Sequence, residues 1–159
     1  MQTERLELRP LGPAAAAALP HDRATAALEL GAELPDGWPH ADLVDILPLQ
    51  AAAAPGEEQF GVWVIIERDT GTLCGDIGFL GPPGPDGAIE IGYSVVPSCR
   101  RRGYATEAAR ALVAWALSQP GVRRVVARCD TGNVASIRIL EGLGFTRDGI
   151  VNGQLRWRS

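Results

Sequence analysis

The segment Ile89–Glu107 constrains the fold more than any other part of the chain. Residues 89–96 are rich in the β-branched and aromatic residues typical of a strand, and Gly103–Ser118 carries apolar residues at helical spacing. Between them lies a basic turn, Arg100–Arg102. A strand that leads directly into a helix requires a sheet with a helix layer packed on it, which predicts an α/β protein.

The other predicted elements extend this architecture over the whole chain. Between Gly12 and Ala54, prolines interrupt an Ala-rich and Leu-rich region, which predicts short helices. A later helix, Val134–Leu143, is expected to close at Gly144. The remaining predicted strands are Arg5–Arg9, Phe60–Glu67, Thr72–Leu80, Val122–Arg128, Phe145–Ile150 and Gln154–Arg158. This order predicts a mixed, mainly antiparallel sheet with helices on both faces, in a single domain of residues 1–159.

Composition and charge exclude several classes of partner. The chain has 15 Lys and Arg against 19 Asp and Glu, and its net charge of -4 disfavours a nucleic-acid partner. The first residues lack a secretory pattern, and no apolar run approaches the length that spans a bilayer. We therefore expect a cytoplasmic protein with no membrane partner.

The cysteines and histidines predict no metal site. Cys74, Cys99 and Cys129 form no Cys-x-x-Cys pair, and only His21 and His40 could help them bind a metal. Reduced thiols without a metal are the expected state. A catalytic Cys-His pair is the alternative, and it is disfavoured because neither histidine lies in a recognisable motif.

The turn before the second half of the chain is suited to a pyrophosphate. A helix amino terminus presents unpaired N–H groups and the positive end of the helix dipole. Gly103 permits close backbone approach, Ala105 keeps the first turn small, and three arginines can neutralise phosphate charge. The spacing alone fits equally well with a solvated basic helix start, in which the glycine serves only the turn.

With these residues the sequence resembles the GNAT superfamily of N-acetyltransferases. The cofactor motif of that family is Gln or Arg, two residues, Gly, any residue, and then Gly or Ala. Arg100, Gly103 and Ala105 fill its three positions, and Asn133–Ser136 matches a later Asn-x-x-Ser pattern. The run Glu90–Tyr93 is similar to the subgroup that acetylates the amino termini of ribosomal proteins. The resemblance implies an acetyl-CoA-dependent enzyme that needs no metal and in which a primary amine attacks the thioester directly.

The resemblance also implies the cofactor contacts. The strand before the motif is expected to carry a bulge and to splay from its neighbour, which frees backbone groups for the pantetheine arm. The implied cofactor-binding residues are Val95, Val96, Arg100, Arg101, Arg102, Gly103, Tyr104, Ala105, Thr106, Asn133 and Ser136. For Asn133 the alternative is a purely structural helix N-cap, a position where Asn is among the best residues.

Three residues are predicted to be catalytic. By resemblance, the N–H of Tyr93 binds the acetyl oxygen, where a preorganised donor stabilises the oxyanion. Ser136 is predicted to protonate or solvate the leaving thiolate, because the tyrosine that many relatives place a few residues later is missing. Glu90 is the candidate general base. Its register differs by one residue from the Glu of histone-acetylating relatives, and a structural role for Glu90 is the alternative.

The acceptor is expected to be a small-molecule or peptide amine. Trp38, His40 and Asp36 lie in an early loop that commonly forms part of the acceptor wall in this family. With Asp36, the further acidic residues Asp42 and Asp45 favour a cationic acceptor by charge complementarity. Relatives often dimerise, so a homodimer is one alternative for the assembly.

Two other functions compete with an enzyme of this type. A non-catalytic acyl-CoA-binding or sensor domain of the same fold is suggested by the missing tyrosine and the shifted glutamate. A Rossmann-type nucleotide protein is disfavoured, because no Gly-x-Gly-x-x-Gly follows a first strand.

Overall fold

The computed structural model describes all residues, 1–159, as a sheet of seven strands with five α-helices. The strands are β1 (Leu6–Pro10), β2 (Val62–Glu67), β3 (Leu73–Phe79), β4 (Ala88–Val95), β5 (Arg124–Asp130), β6 (Thr146–Val151) and β7 (Gln154–Arg158). The helices are α1 (Pro13–Ala18), α2 (Arg23–Leu30), α3 (Ala41–Ala51), α4 (Tyr104–Leu117) and α5 (Val134–Gly142). Two short 3-10 helices cover Glu58–Phe60 and Pro97–Cys99.

The sheet is mixed and mainly antiparallel, as predicted. Its strand order is β1-β2-β3-β4-β5-β7-β6. Every neighbouring pair is antiparallel except β4 and β5, which run parallel. The parallel pair is joined by a crossover through α4, as a parallel connection requires. The predicted strand-turn-helix segment therefore lies at the centre of the sheet.

Helices cover both faces of the sheet. On one face, Trp115 of α4 packs against Trp63 of β2 and Phe79 of β3, with ring centroids 5.4 and 5.9 Å apart. On the other face, Gln50 of α3 is buried and joins the helix to the sheet. Its amide nitrogen donates to the carbonyl of Leu11 (2.7 Å), and its oxygen accepts from the N–H of Val62 (3.0 Å). These packed layers form one continuous hydrophobic core.

Several element boundaries differ from those predicted, and three of the differences concern prolines or a turn. β1 includes Pro10, which was expected to follow the strand; an edge strand tolerates proline because one side of it needs no donor. Pro48 lies inside α3 instead of breaking it. β5 begins at Arg124, two residues later than predicted, because the N–H of Val122 closes the turn at Gly121 on Gln119 and that of Arg123 bonds to Gly87.

The last hairpin is closed by a two-residue turn of favourable sequence. Asn152 and Gly153 join β6 to β7, with φ angles of 51° and 79°. A two-residue hairpin turn with positive φ at both positions favours Asn-Gly. Gly144 also adopts a positive φ, 82°, just after α5, where a left-handed helix end was predicted. None of the helices combines the length and hydrophobicity needed to cross a lipid bilayer.

Candidate functional site

A gap opens between β4 and β5 in the middle of the sheet. The two strands pair only from Ala88↔Arg124 to Ile91↔Ala127, whereas β4 continues to Val95. The splay that the resemblance implied is therefore present. The bulge that it also implied is absent from β4, whose register on β3 runs without a shift from Gly75↔Val95 to Phe79↔Ile91.

Two residues of β4 turn their backbone polar groups into this gap. The carbonyl of Glu90 accepts from Leu80, and the N–H of Val96 donates to Cys74, so the even-numbered residues face β3. In an antiparallel ladder the groups of alternate residues point to opposite sides, so those of Tyr93 and Val95 face the gap. These are the two residues for which backbone contacts were predicted.

The amino terminus of α4 lies at the end of the gap. The first i to i−4 bond of the helix runs from Glu107 to Gly103 (3.0 Å), which leaves the N–H groups of the three preceding residues without intrahelical partners. No side chain caps them. Gly103 has φ +82°, a left-handed conformation that side chains disfavour. The arrangement suits an anionic group at Tyr104, Ala105 and Thr106.

The gap and this helix terminus form one groove of about 640 Å³, which we call the cofactor groove. It is lined by Tyr93, Ser94, Val95, Cys99, Arg100, Arg101, Gly103, Tyr104, Ala105, Thr106, Asn133, Ala135, Ser136 and Ile139. Most residues predicted to bind the cofactor thus lie around a single groove. Their contact with a ligand stays a prediction.

The three arginines of the turn occupy different places. Arg100 and Arg101 line the groove, and the Nε of Arg100 donates to the carbonyl of Val95 (3.0 Å). Arg102 instead pairs with Glu67 and lies over the ring of Tyr104, 4.6 Å from its centroid. The carboxylate of Glu67 also accepts from the Tyr104 hydroxyl, and this hydrogen bond is the main cause of the lowered pKa of Glu67.

Two predicted cofactor residues lie outside the groove, and four that line it were not predicted. Arg102 is held away by Glu67, while Val96 is buried with its N–H bonded to β3. The unpredicted lining residues are Ser94, Cys99, Ala135 and Ile139. Ile139 lies three residues after Ser136 on α5, so helical spacing was the signal that could have found it.

Tyr93 connects β4 to α5 across the gap. Its hydroxyl lies 3.5 Å from the backbone carbonyl of Ser136, and burial raises the pKa of the phenol. Asn133 accepts from the N–H of Ser136 through its side chain (3.1 Å), so it is the N-cap of α5 while also lining the groove. The structural and cofactor-binding roles considered for Asn133 are compatible.

Glu90 does not line the cofactor groove and is paired. Both of its carboxylate oxygens accept from Arg128 of β5, at 2.6 and 3.0 Å. Glu90 lines neither this groove nor the second one described below. Its base role stays a prediction, and the pairing weighs against it, because both carboxylate oxygens are already engaged by Arg128 outside the two grooves.

A second groove, of about 630 Å³, meets the first at β4, and we call it the acceptor groove. It is lined by His40, Ala41, Asp42, Leu43, Ile46, Val62, Asp76, Ile77, Gly78, Phe79, Leu80, Gly92, Tyr93 and Ser94. Tyr93 and Ser94 line both grooves. The two grooves therefore meet at these two residues.

The early loop contributes to the acceptor groove in part. His40 and Asp42 line it, and Trp38 is buried behind it, where its indole N–H donates to Asp76 (2.8 Å). Asp36 and Asp45 are exposed and do not line the groove. Asp76 was not recognised from the sequence, because nothing in its local pattern distinguishes it from other strand residues.

The cysteines are free and buried. The Sγ atoms of Cys74 and Cys99 lie 2.8 Å apart although the residues are distant in sequence, and burial raises the pKa of Cys74 to about 12. No cluster of three or more His, Cys, Asp or Glu side chains has a geometry that could hold a metal ion.

Thr3 and Arg5, near the start of the chain, hydrogen-bond to the turn before α4 and to Glu107. Glu107 accepts from the hydroxyl of Thr3 (2.6 Å) and from the backbone and side chain of Arg5. Arg5 also donates to the carbonyl of Arg102 (2.9 Å). Burial alone would raise the pKa of Glu107, but these hydrogen bonds outweigh it and lower the pKa. These contacts, made outside the groove, thus stabilise the turn in which Arg101 and Gly103 have positive φ angles.

Comparison with known proteins gives consistent results. The family model "Acetyltransferase (GNAT) domain" matches residues 5–146. The uncharacterised N-acetyltransferase YjdG of Bacillus subtilis is 39% identical over 149 residues, which cover 91% of this chain and 88% of that protein.

Two solved structures share the fold at 18% identity. The microcin C7 self-immunity acetyltransferase MccE, in complex with acetyl-CoA and AMP, has a TM-score of 0.69, with 99% of this chain and 93% of that chain covered. A protein from Vibrio cholerae described as a ribosomal-protein-serine acetyltransferase has a TM-score of 0.67, with 99% and 95% covered.

Proposed function

Because the chain belongs to the GNAT acetyltransferase family and is an N-acetyltransferase, we propose that it moves an acetyl group from acetyl-CoA to a primary amine. The observation that carries this proposal is the cofactor groove. In it, an open edge of β4 leads to an uncapped helix terminus, so one groove offers hydrogen-bonding groups to an extended arm and to a phosphate group.

The backbone of the chain supplies the cofactor contacts in this proposal. The N–H groups of Tyr104, Ala105 and Thr106 bind the pyrophosphate, and Arg100 and Arg101 add positive charge beside it. The backbone N–H of Val95, which faces the gap, binds the pantetheine arm, while its carbonyl accepts from Arg100. Asn133 and Ile139 form the opposite wall of the groove.

The chemistry takes place where the two grooves meet. An amine in the acceptor groove attacks the thioester carbonyl carbon, and the N–H of Tyr93 stabilises the negative charge that develops on the oxygen. The carbon–sulfur bond then breaks, and the Ser136 hydroxyl hydrogen-bonds to the leaving thiolate as it takes up a proton. The acetyl group passes directly to the amine, since Cys99, the one cysteine lining the groove, is only 6% exposed and lies against Cys74.

The acceptor belongs to the class of amines that are cationic in water. The carboxylates of Asp42 and Asp76 line the acceptor groove, and no Lys or Arg does. Protein amino termini and polyamines both fit this charge. The Glu-Ile-Gly-Tyr run and the shared fold with the Vibrio cholerae protein support including Ser-initiated peptides among the candidates.

The first test is thermal unfolding with and without acetyl-CoA. A ligand that binds only the folded state adds about 2.7 kcal/mol of apparent stability at a hundredfold excess over its dissociation constant. We expect a clear upward shift in Tm with acetyl-CoA and little shift with NAD. Consumption of the thioester by a panel of peptides, diamines and polyamines then identifies the acceptor.

Three outcomes would contradict parts of the proposal. No Tm shift at saturating acetyl-CoA would remove the cofactor assignment. Binding without consumption by any amine would support the non-catalytic alternative. A radiolabelled acetyl group that stays on the protein after the cofactor is removed would overturn direct transfer.

A further inference from the structure

Asp76 is the one charged side chain that the fold buries. It is 7% exposed, whereas every other Asp, Glu and Arg is more accessible to solvent. No Arg or Lys pairs with it; its partners are the Trp38 indole and the His40 imidazole. Burying a carboxylate without a full countercharge is costly, so such groups tend to occur at functional sites.

The hydrogen bonds around Asp76 leave His40 as a donor. The Nδ1 of His40 accepts from the N–H of Leu43 (3.3 Å) and so caps α3, and this places the ring proton of the neutral imidazole on Nε2. Nε2 lies 3.3 Å from both carboxylate oxygens of Asp76. Because His40 has no free lone pair in this arrangement, Asp76 is the group positioned to accept a proton.

The sheet register places Asp76 beside the point where the grooves meet. Asp76 pairs with Ser94, and two residues further along β3, Gly78 pairs with Gly92. Directly opposed residues on adjacent strands share a face, with Cβ atoms about 5 Å apart. Gly92 leaves the floor of the acceptor groove free of a side chain next to Asp76, whereas the space beside Gly78 is filled by the backbone of Gly61 and Val62. An added Cβ at Gly92 would meet no atom within 4 Å.

We propose that Asp76 binds the ammonium group of the acceptor and accepts its proton, with Trp38 and His40 as positioning residues. This inference rests on the proposed function, because it needs an amine acceptor in the acceptor groove. It assigns to Asp76 the base role that the sequence had suggested for Glu90.

The proton balance follows from the order of steps. The ammonium gives one proton to the Asp76 carboxylate, which becomes a carboxylic acid, and the neutral amine attacks the thioester carbonyl. The nitrogen loses a second proton as the carbon–sulfur bond breaks, and the leaving thiolate takes up one proton to become the thiol. The Asp76 carboxyl then releases its proton to water through the open groove, which restores the carboxylate.

Burial makes this carboxylate more basic than an exposed one. Burial raises the pKa of Asp76, and the hydrogen bonds from Trp38 and His40 partly oppose the shift. The other titratable groups that line the groove are His40, Asp42 and Tyr93. A raised pKa brings the carboxylate closer to the range in which a general base is efficient.

The decisive variant is Asp76→Asn, which keeps the shape of the side chain and removes its charge. We expect kcat/KM for the amine to fall by about a hundredfold or more, with acetyl-CoA affinity changed by less than about twofold. Asp45→Asn is the matched control, because it removes the same charge from exposed α3 outside the groove. Equal activity of the wild type and Asp76→Asn would overturn the proposal.

The Tm of Asp76→Asn shows whether a fall in kcat/KM comes from a loss of folded protein. Because burial raises the pKa of Asp76, the folded protein binds this proton more tightly than the unfolded chain, so ionisation lowers stability as pH rises above the ordinary Asp range. The neutral Asn variant avoids this cost at pH 7, but its amide nitrogen cannot accept from Trp38 or His40, so its Tm is expected to lie within a few degrees of the wild-type value.

The positioning role of His40 is tested by the pH profile. His40→Asn keeps an N-cap residue for α3 and removes the donor to Asp76. Without that donor the pKa of Asp76 rises, so the acid limb of kcat/KM moves to higher pH. An acid limb that stays in place in His40→Asn would contradict the role of His40.

A binding measurement separates this inference from the proposed function. The amide signals of Tyr93 and Ser94, which line both grooves, are followed by NMR as 1,5-diaminopentane is added to the CoA complex. We expect shifts in the wild type and in Asp45→Asn, and none in Asp76→Asn or in Gly92→Val, which fills the groove. Shifts that persist in Asp76→Asn would overturn the inference alone, whereas failure of the wild type to bind CoA would remove the proposed function and this inference together.

Discussion

The two grooves that meet at Tyr93 and Ser94 are built from different parts of the chain. The cofactor groove takes most of its hydrogen-bonding capacity from backbone groups, at the open edge of β4 and the first turn of α4. The acceptor groove takes its polar groups from side chains, with His40 and Asp42 at the start of α3 and Asp76 in the middle of β3. One site depends on where the backbone is exposed, and the other on which side chains the fold brings together.

This difference determines how each groove tolerates substitution. A backbone donor is unaffected by most side-chain changes and is lost only when the chain path changes or a bulky group blocks it. A side-chain site changes with a single residue. The cofactor groove is therefore suited to one invariant ligand, and the acceptor groove to variation in specificity among proteins of one fold.

The largest expected effect is at the glycine before α4. Gly103→Glu introduces a side chain where φ is +82° and places a negative charge beside the pyrophosphate site. We expect acetyl-CoA affinity to fall by about a hundredfold or more, measured by calorimetry. Gly121→Glu is the control, because that glycine also has positive φ, +85°, and lies outside both grooves. Unchanged affinity in Gly103→Glu would refute the proposed pyrophosphate site.

Ser136 tests a side chain at the boundary between the grooves. Ser136→Ala removes the hydroxyl proposed to hydrogen-bond to the leaving thiolate, so kcat should fall by about tenfold, with acetyl-CoA affinity within about twofold of the wild type. Ser98→Ala, on the exposed turn before the arginines, should leave both constants unchanged. An equal loss of kcat and affinity in Ser136→Ala would instead indicate a binding role.

Two arginines of the turn test the cofactor groove with a smaller expected effect on acetyl-CoA affinity. Arg101→Gln removes one charge that lines the groove and should weaken acetyl-CoA binding by about fivefold, less than the glycine variant does. Arg102→Gln removes a charge that is paired with Glu67 and should leave the affinity nearly unchanged. If Arg102→Gln had the larger effect on affinity, the arginine of the Glu67 pair would have to turn into the groove on binding.

The smallest expected effect is at Glu107, which accepts hydrogen bonds from Thr3 and Arg5 beside the turn before α4. The pKa of Glu107 is lowered in the folded protein, so its carboxylate adds stability above the ordinary Glu pKa, and that stability is lost as pH falls through the folded value. Glu107→Gln should lower Tm by about 2–4 °C at pH 7, which corresponds to about 1 kcal/mol. Below the lowered pKa of Glu107 in the folded protein, the two proteins should unfold at similar temperatures. A constant difference at all pH values would show that charge is not the cause.

The fold and the cofactor groove were predictable for the same physical reason. Strand alternation, the helical spacing after Gly103 and the Asn-Gly turn are local patterns, and the backbone groups of the groove follow from where the strand ends and the helix begins. Arg102 and Val96 were predicted to bind the cofactor, but they lie outside the groove. Arg102 pairs with Glu67, and the N–H of Val96 bonds to β3, and sequence adjacency to the motif reveals neither contact.

The acceptor groove could be predicted only in part. His40 was associated with it by resemblance, but Asp76 became visible only when the register of β3 on β4 placed it opposite Ser94. Glu90 was the candidate base on the strand before the motif, but its ion-pair partner Arg128 lies on another strand and could not be predicted. Contacts between distant segments carry this part of the site, and a single sequence does not encode them in any local pattern.

The hydrogen bond from Trp38 to Asp76 gives the molecule an internal optical reporter. Of the four tryptophans, Trp38 is the one whose indole N–H donates to a carboxylate, whereas Trp63 and Trp115 pack against each other on the opposite face. Neutralising Asp76, or placing a cation beside it, changes the electric field at this indole and hence its emission. Unknown amines can therefore be screened on the unlabelled protein by fluorescence, before any product is formed.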